Sequence, residues 1–107
     1  MHDKAGITGM NIESYKGQIN ELCRQNGIQT CHLIGSAAAG TLNQDSDIDM
    51  VIDFRAGSGD YFERFMNLKL GLEKLFDRQV DLLIYDAIRN PFLKEEIDNT
   101  KELVYAA

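Results

Sequence analysis

The stretch that decides the fold runs from residue 33 to residue 54 and has the sequence LIGSAAAGTLNQDSDIDMVIDF. It begins with the end of an apolar strand, turns at Gly35-Ser36, and reaches Asp47-Ile48-Asp49 ten residues later. From Asp47 onward, the side chains alternate with the two-residue period of a β-strand. The two predicted faces are Ile48, Met50, Ile52 and Phe54 on one side, and Asp47, Asp49, Val51 and Asp53 on the other.

The residues on either side of this stretch predict alternating helices and strands. An apolar stripe at helical spacing marks 12–25, and a longer one, which includes Phe62, marks 60–76, where Asp60 and Glu63 resemble a capping box. The predicted order is helix 12–25, strand 28–34, a short helix within 36–40, strand 47–54, helix 60–76, strand 79–85, helix 91–99 and edge strand 103–105. This order predicts an α/β (α+β) fold, a small mixed β-sheet with helices packed on it. Residues 1–9 are expected to be a disordered tail, and 10–107 a single domain.

The composition is that of a soluble globular protein, since 44% of the 107 residues are apolar and 26% are charged. A net charge of −6 disfavours a protein whose main task is to bind a nucleic acid backbone, because that affinity comes from Lys and Arg. Cys23 and Cys31 match no zinc or CxxC pattern, so we expect two reduced thiols in or near the core. Neither a membrane span nor a signal-peptide core is recognisable, and a cytoplasmic protein is expected.

Asp47 and Asp49 need an explanation, because strand geometry places both on one face, roughly 6–7 Å apart. Their carboxylates can approach to about 4 Å, where two like charges repel by about 4 kcal/mol at an effective dielectric constant of 20. A divalent cation such as Mg²⁺, which prefers carboxylate oxygens, would turn this repulsion into attraction. Asp81 can join the pair if the strand 79–85 lies beside the strand 47–54. The alternative is that Asp47 and Asp49 are solvated on an exposed strand face, as we expect for Asp53.

Gly35-Ser36 has two compatible interpretations. A glycine lets the backbone approach a ligand closely, and amides at a helix start together with the serine hydroxyl can bind phosphate. The turn can equally be a tight connection with Ser36 as the helix N-cap. His32, in the strand before the turn, is expected to be a core or edge histidine.

The first residues of two other ligand-binding motifs occur in this stretch, but neither motif is complete. An EF-hand loop starting at Asp45 would require a glycine where Met50 stands and a glutamate where Ala56 stands. A P-loop starting at Gly35 would require lysine and serine or threonine where Thr41 and Leu42 stand. A metal bound by the carboxylates is the interpretation that remains.

Gly35-Ser36, ten residues and Asp47-Ile48-Asp49 together resemble the GSx10DxD signature of the DNA polymerase β-like nucleotidyltransferase superfamily. The segment 79–83, QVDLL, is similar to its third acidic strand, and the small size resembles its minimal nucleotidyltransferase (MNT) branch. The resemblance implies that Asp47, Asp49 and Asp81 hold Mg²⁺, with Asp81 also helping to activate the attacking hydroxyl. It also implies that Gly35 and Ser36 hold the nucleotide phosphates.

The function implied by the resemblance is transfer of a nucleoside monophosphate, AMP from ATP, to a hydroxyl of a partner protein. Such proteins serve as antitoxins paired with a helical HEPN-type toxin. Ala39 stands where many minimal members carry arginine, which leaves open an alternative, a non-catalytic partner-binding antitoxin module with a weakened nucleotide site. A small-molecule acceptor, as in antibiotic-modifying relatives, is disfavoured by the lack of a second domain. Whether the protein oligomerises stays open.

Overall fold

The computed structural model describes residues 12–43, 45–57 and 59–107, so the tail expected at 1–9 lies outside the described residues. The described part folds into one mixed four-stranded sheet with strand order β3-β2-β1-β4. Its strands are β1 (Ile28–Ile34), β2 (Ile48–Phe54), β3 (Val80–Ile84) and β4 (Glu102–Ala106). β2 and β3 run parallel, whereas β1 is antiparallel to both of its neighbours, β2 and β4. The predicted fold class is therefore confirmed.

The strand bounds follow the sequence pattern closely, with one difference that bears on the site. β2 begins at Ile48, whereas the alternation predicted a start at Asp47. The reason lies in the ladder, whose first bond at this edge is donated by the N–H of Ile48 to the carbonyl of Gln79, at 3.0 Å. Asp47 therefore ends the preceding loop.

The described residues also form four α-helices: α1 (Lys16–Gln25), which precedes β1, and the connecting helices α2 (Gly35–Ala39), α3 (Tyr61–Phe76) and α4 (Pro91–Thr100). The residues before α1, Ile12–Tyr15, form a 3₁₀ turn where the sequence predicted continuous α-helix. Asn90 caps α4, because its side chain accepts hydrogen bonds from the N–H groups of Phe92 and Leu93.

The capping box predicted at the start of α3 is not formed. Asp60 lies in the left-handed region, with φ of 48°, and makes no side-chain hydrogen bond to the helix. A capping box requires an extended backbone at the cap residue, which this turn does not provide.

The main core lies between one face of the sheet and the helices α1 and α3. It contains Ile19 and Cys23 from α1, Leu68 and Leu72 from α3, and the apolar faces of all four strands. Both cysteines are buried and free, and the neighbouring Cys23 thiol together with burial raises the pKa of Cys31. Phe62 was assigned to the buried face of α3, but this is wrong, since its side chain is 79% exposed.

A smaller apolar cluster lies on the opposite face of the sheet, beneath α4. Its buried members are Ile34, Val51 and Ile97. This face also carries the polar side chains of β2 and β3, because residues of the same parity share one side of a strand. Within the described residues, no helix is long and apolar enough to cross a membrane.

We predict that Leu68→Ala lowers the free energy of unfolding by about 2–5 kcal/mol, because it leaves a cavity in a fully buried site. Leu70→Ala is the matched control, since Leu70 lies on the same helix and is 55% exposed. Its expected effect is below about 1 kcal/mol. Urea unfolding of both variants tests the prediction, and equal losses would contradict the described packing of α3.

Candidate functional site

The parallel pairing of β2 and β3 brings two predicted site residues together. Asp49 lies directly across the ladder from Asp81, and both project from the face that carries α4. Asp49 is half-buried and Asp81 is exposed. Asp47 lies two residues before Asp49, in the loop that leads into β2, and is also exposed.

The pKa of Asp49 reflects the presence of these neighbouring carboxylates. Burial raises the pKa of Asp49 above its ordinary value, and the neighbouring carboxylates of Asp81 and then Asp47 raise it further. Both causes act by disfavouring the charged form. Asp49 therefore sits where a nearby positive charge would be stabilising.

Gly35 borders Asp49 so closely that a side chain there would displace the carboxylate. Its φ of 61° lies in the left-handed region, and a Cβ built on it would stand 2.8 Å from Asp49 Oδ2. The absent side chain thus lets the Asp49 carboxylate lie close to the Gly35 backbone. The turn predicted to bind phosphate and the acidic strand predicted to bind metal meet at this point.

Ser36 does not cap α2 as the alternative interpretation proposed. α2 begins one residue earlier, at Gly35, so that the cap position falls on Ile34 and no side-chain cap bond is made. The left-handed Gly35 turns the chain into the helix before Ser36 is reached. Ser36 is consequently half-buried within the first turn, and its hydroxyl makes no hydrogen bond to another described residue.

A cavity of about 420 Å³ opens beside Gly35, Asp49 and Asp81. α4 forms its opposite wall through Leu93, Glu96, Ile97 and Thr100, and Ile34, Ala39 and Leu83 complete the lining. The sequence predicted this helix but not its position over the acidic face. Its Asn90-Pro91 start signal carries no information about which side of the sheet the helix covers.

The carboxylates are neighbours without being gathered around a single point. Among the described residues, no three His, Cys, Asp or Glu side chains are placed to hold one metal ion. A metal bound by Asp47, Asp49 and Asp81 would therefore require their side chains to turn toward it. The donor set itself suits a hard cation such as Mg²⁺, because it consists of carboxylate oxygens.

Two polar residues on the same face of the sheet lie outside the cavity lining. Asp53, which was expected to be exposed, is half-buried, and its Oδ1 accepts the N–H of Asp86 at 3.3 Å. Burial and then the Asp86 carboxylate raise the pKa of Asp53. His32 is half-buried in β1, in accord with the prediction of a core or edge histidine, and burial followed by Lys101 lowers its pKa.

Arg78, which no sequence motif singles out, contacts the loop that leads into β2. Its Nη1 donates hydrogen bonds to the carbonyl oxygens of Asn43 and Ser46, at 2.8 and 3.0 Å. The loop is also bonded internally, since the Ser46 hydroxyl accepts the N–H of Asn43 and the Asn43 side chain accepts that of Asp45.

Comparison with known proteins identifies a family and several relatives that the chain resembles. Residues 17–107 match the family described as polymerase β nucleotidyltransferase. A Methanocaldococcus jannaschii protein, named as a candidate protein adenylyltransferase, is 33% identical over 90 residues, covering 84% of this chain and 94% of the relative. A solved structure described as a candidate minimal nucleotidyltransferase gives a TM-score of 0.73 at 27% identity, covering 84% of this chain and 89% of its own.

A second solved structure, a toxin–antitoxin crystallised with AMP-PNP, has a TM-score of 0.69 at 26% identity and covers 86% of this chain and 73% of its own. Residues 17–107, which match the family, span the whole sheet, all of α1 except its first residue, and the other three helices. The chain belongs to the polymerase β nucleotidyltransferase family and, within it, to the minimal branch.

We predict that Gly35→Ala perturbs Asp49, whereas Gly40→Ala does not. Both glycines have positive φ, so each substitution strains the backbone by roughly 1–2 kcal/mol. Only at Gly35 would the new Cβ also meet Asp49 Oδ2, since nothing lies within 4 Å of a Cβ at Gly40. Carboxyl ¹³C chemical shifts measure the difference, and an unmoved Asp49 signal in Gly35→Ala would contradict the close approach.

We also predict that Asp49→Asn stabilises the protein at neutral pH. The raised pKa means that folded Asp49 binds a proton more readily than unfolded Asp49, so stability is lost as the pH rises through the folded pKa. The advantage of the variant should disappear below about pH 3.9, the ordinary pKa of aspartate, where the wild-type carboxyl is neutral in both states. Unfolding free energies across this range provide the test, and a variant less stable than wild type at pH 7 would refute it.

Proposed function

We propose that this protein transfers a nucleoside monophosphate, AMP from ATP, to a hydroxyl group of a partner protein. The observation that carries the proposal is the pairing of Asp49 with Asp81 beside Gly35, at the edge of a cavity of about 420 Å³. Family membership supports nucleotidyl transfer, and the relative named as a candidate protein adenylyltransferase supports a protein acceptor.

The reaction transfers the nucleoside monophosphate from an oxygen of pyrophosphate to the oxygen of the acceptor hydroxyl. The acceptor oxygen attacks the α-phosphorus, the bond from this phosphorus to the bridging oxygen breaks, and pyrophosphate leaves with the electron pair. The hydroxyl proton passes to a carboxylate. We assign this role to Asp81, because it lines the cavity and is more exposed than Asp49.

The remaining roles follow from charge and space. Mg²⁺ held by Asp47, Asp49 and Asp81 would neutralise phosphate charge and stabilise the oxygens that enter and leave. Gly35 provides room for phosphate beside Asp49, since it has no side chain to fill that space. The Ser36 hydroxyl, which caps no helix, would donate to a phosphate oxygen.

The partner we propose is the HEPN-type toxin of a toxin–antitoxin pair, with this chain as the antitoxin. The fold neighbour crystallised with AMP-PNP is itself a toxin–antitoxin, which supports this assignment. The apolar residues at the start of α4 would suit a protein acceptor, because Leu93 lines the cavity and Phe92 beside it is 80% exposed.

A second candidate is a non-catalytic antitoxin that neutralises its partner by binding alone. The uncharged Ala39 in the cavity lining and the exposed Phe92 favour this function. The two candidates differ in their dependence on Asp47 and Asp49, which a binding module would not need.

Incubation with labelled ATP, Mg²⁺ and the product of the adjacent gene distinguishes the candidates. Wild-type protein should label its partner, and the double variant Asp47→Asn with Asp49→Asn should lose about a thousand-fold or more in rate, because several kcal/mol of charge stabilisation disappear. Asp53→Asn is the matched control, since Asp53 lies on the same face of β2 but outside the cavity lining.

The expected result for Asp53→Asn is transfer close to the wild-type rate. If the double variant still transferred the label at the wild-type rate, the proposed mechanism would be wrong. Tight partner binding that ignores ATP and the double variant, with no label transferred, would establish the binding module instead.

A further inference from the structure

Arg78 connects the loop that leads into β2 with the segment that leads into β3. It lies two residues before β3 and three before Asp81, and its side chain is half-buried. From this position its Nη1 bonds to the carbonyl oxygens of Asn43 and Ser46, which lie 35 and 32 residues away along the chain. Ser46 directly precedes Asp47.

The residues around Asp47 are held at two points. On one side, the Arg78 guanidinium holds the Ser46 carbonyl at 3.0 Å. On the other side, the N–H of Ile48 donates to the Gln79 carbonyl, also at 3.0 Å. Both attachments come from the segment that enters β3, so the loop that carries Asp47 is fastened to the strand that carries Asp81.

These hydrogen bonds matter because Asp47 itself lies outside the strand ladder. Asp47 carries the same charge as Asp49, which lies two residues away, and as Asp81 opposite Asp49, so a loose loop would relax by carrying Asp47 away from them. Bonds from a charged donor to backbone carbonyls are among the stronger hydrogen bonds in proteins, and they oppose this movement.

We propose that Arg78 is a positioning residue of the acidic site, which holds the carbonyl oxygens of Asn43 and Ser46 so that Asp47 stays beside Asp49. Its effect on the loop stands independently, whereas its effect on transfer rests on the proposed function. A side chain that orients a metal-binding group from behind typically changes metal affinity by about 10-fold to 100-fold when it is removed.

The test compares Arg78→Gln, which removes the charge, with Arg78→Lys, which retains a cation with several donors. In Arg78→Gln, amide exchange at Ser46 and Ile48 should speed up, and Mn²⁺ binding, measured by water proton relaxation without nucleotide, should weaken by about 10-fold or more. The Mg²⁺ concentration for half-maximal transfer should rise by a similar factor. Arg78→Lys should recover part of each loss.

Arg24→Gln is the matched control, because it removes the same charged group from an exposed position on α1, where Arg24 pairs with Glu21. It should leave loop exchange and Mn²⁺ affinity at wild-type values. Arg78→Gln protein with wild-type loop exchange and Mn²⁺ affinity would overturn the proposal, as would an equal effect in Arg24→Gln.

The two readouts separate this proposal from the proposed function. If wild-type protein transferred no label but Arg78→Gln still loosened the loop and weakened Mn²⁺ binding, only the proposed function would fail. If transfer proceeded and Arg78→Gln left both loop exchange and Mn²⁺ affinity unchanged, only the positioning role would fail. Circular dichroism confirms that each variant is folded before it is compared.

Discussion

The site depends on the parallel, in-register pairing of β2 with β3. This register places Asp49 opposite Asp81, and a slip of one residue would turn one of the two carboxylates toward the main core. The opposite faces of the same strands prevent the slip, because their apolar side chains pack against α1 and α3. The burial that stabilises the domain therefore also holds two like charges together.

Holding these charges together works against stability. The raised pKa of Asp49 shows that burial and its neighbours disfavour its charged form. Sites that bind cations or polyphosphates commonly retain such unfavourable arrangements, because the bound group relieves them. Gly35 belongs to the same arrangement, since its lack of a side chain lets the Asp49 carboxylate lie close to its backbone.

Much of this arrangement could be predicted from periodicity, and the rest could not. The alternation of 47–54 and 79–85 predicted which residues share a face, and the structure confirms that Asp49 and Asp81 do. Pattern alone does not report tertiary position, so the wall formed by α4 and the bonds from Arg78 were missed. Local signals also failed where the backbone departs from the usual geometry, as at Asp60 and Ser36.

We propose that Asp47, Asp49 and Asp81 share one cation site next to Gly35. Paramagnetic broadening by substoichiometric Mn²⁺, read from carboxyl and amide NMR signals, tests this most directly. We expect the signals of Asp47, Asp49, Asp81 and Gly35 to broaden first and together, while those of Asp53 remain sharp. Broadening centred on Asp53 and Asp86, or spread evenly over the acidic surface, would contradict the account.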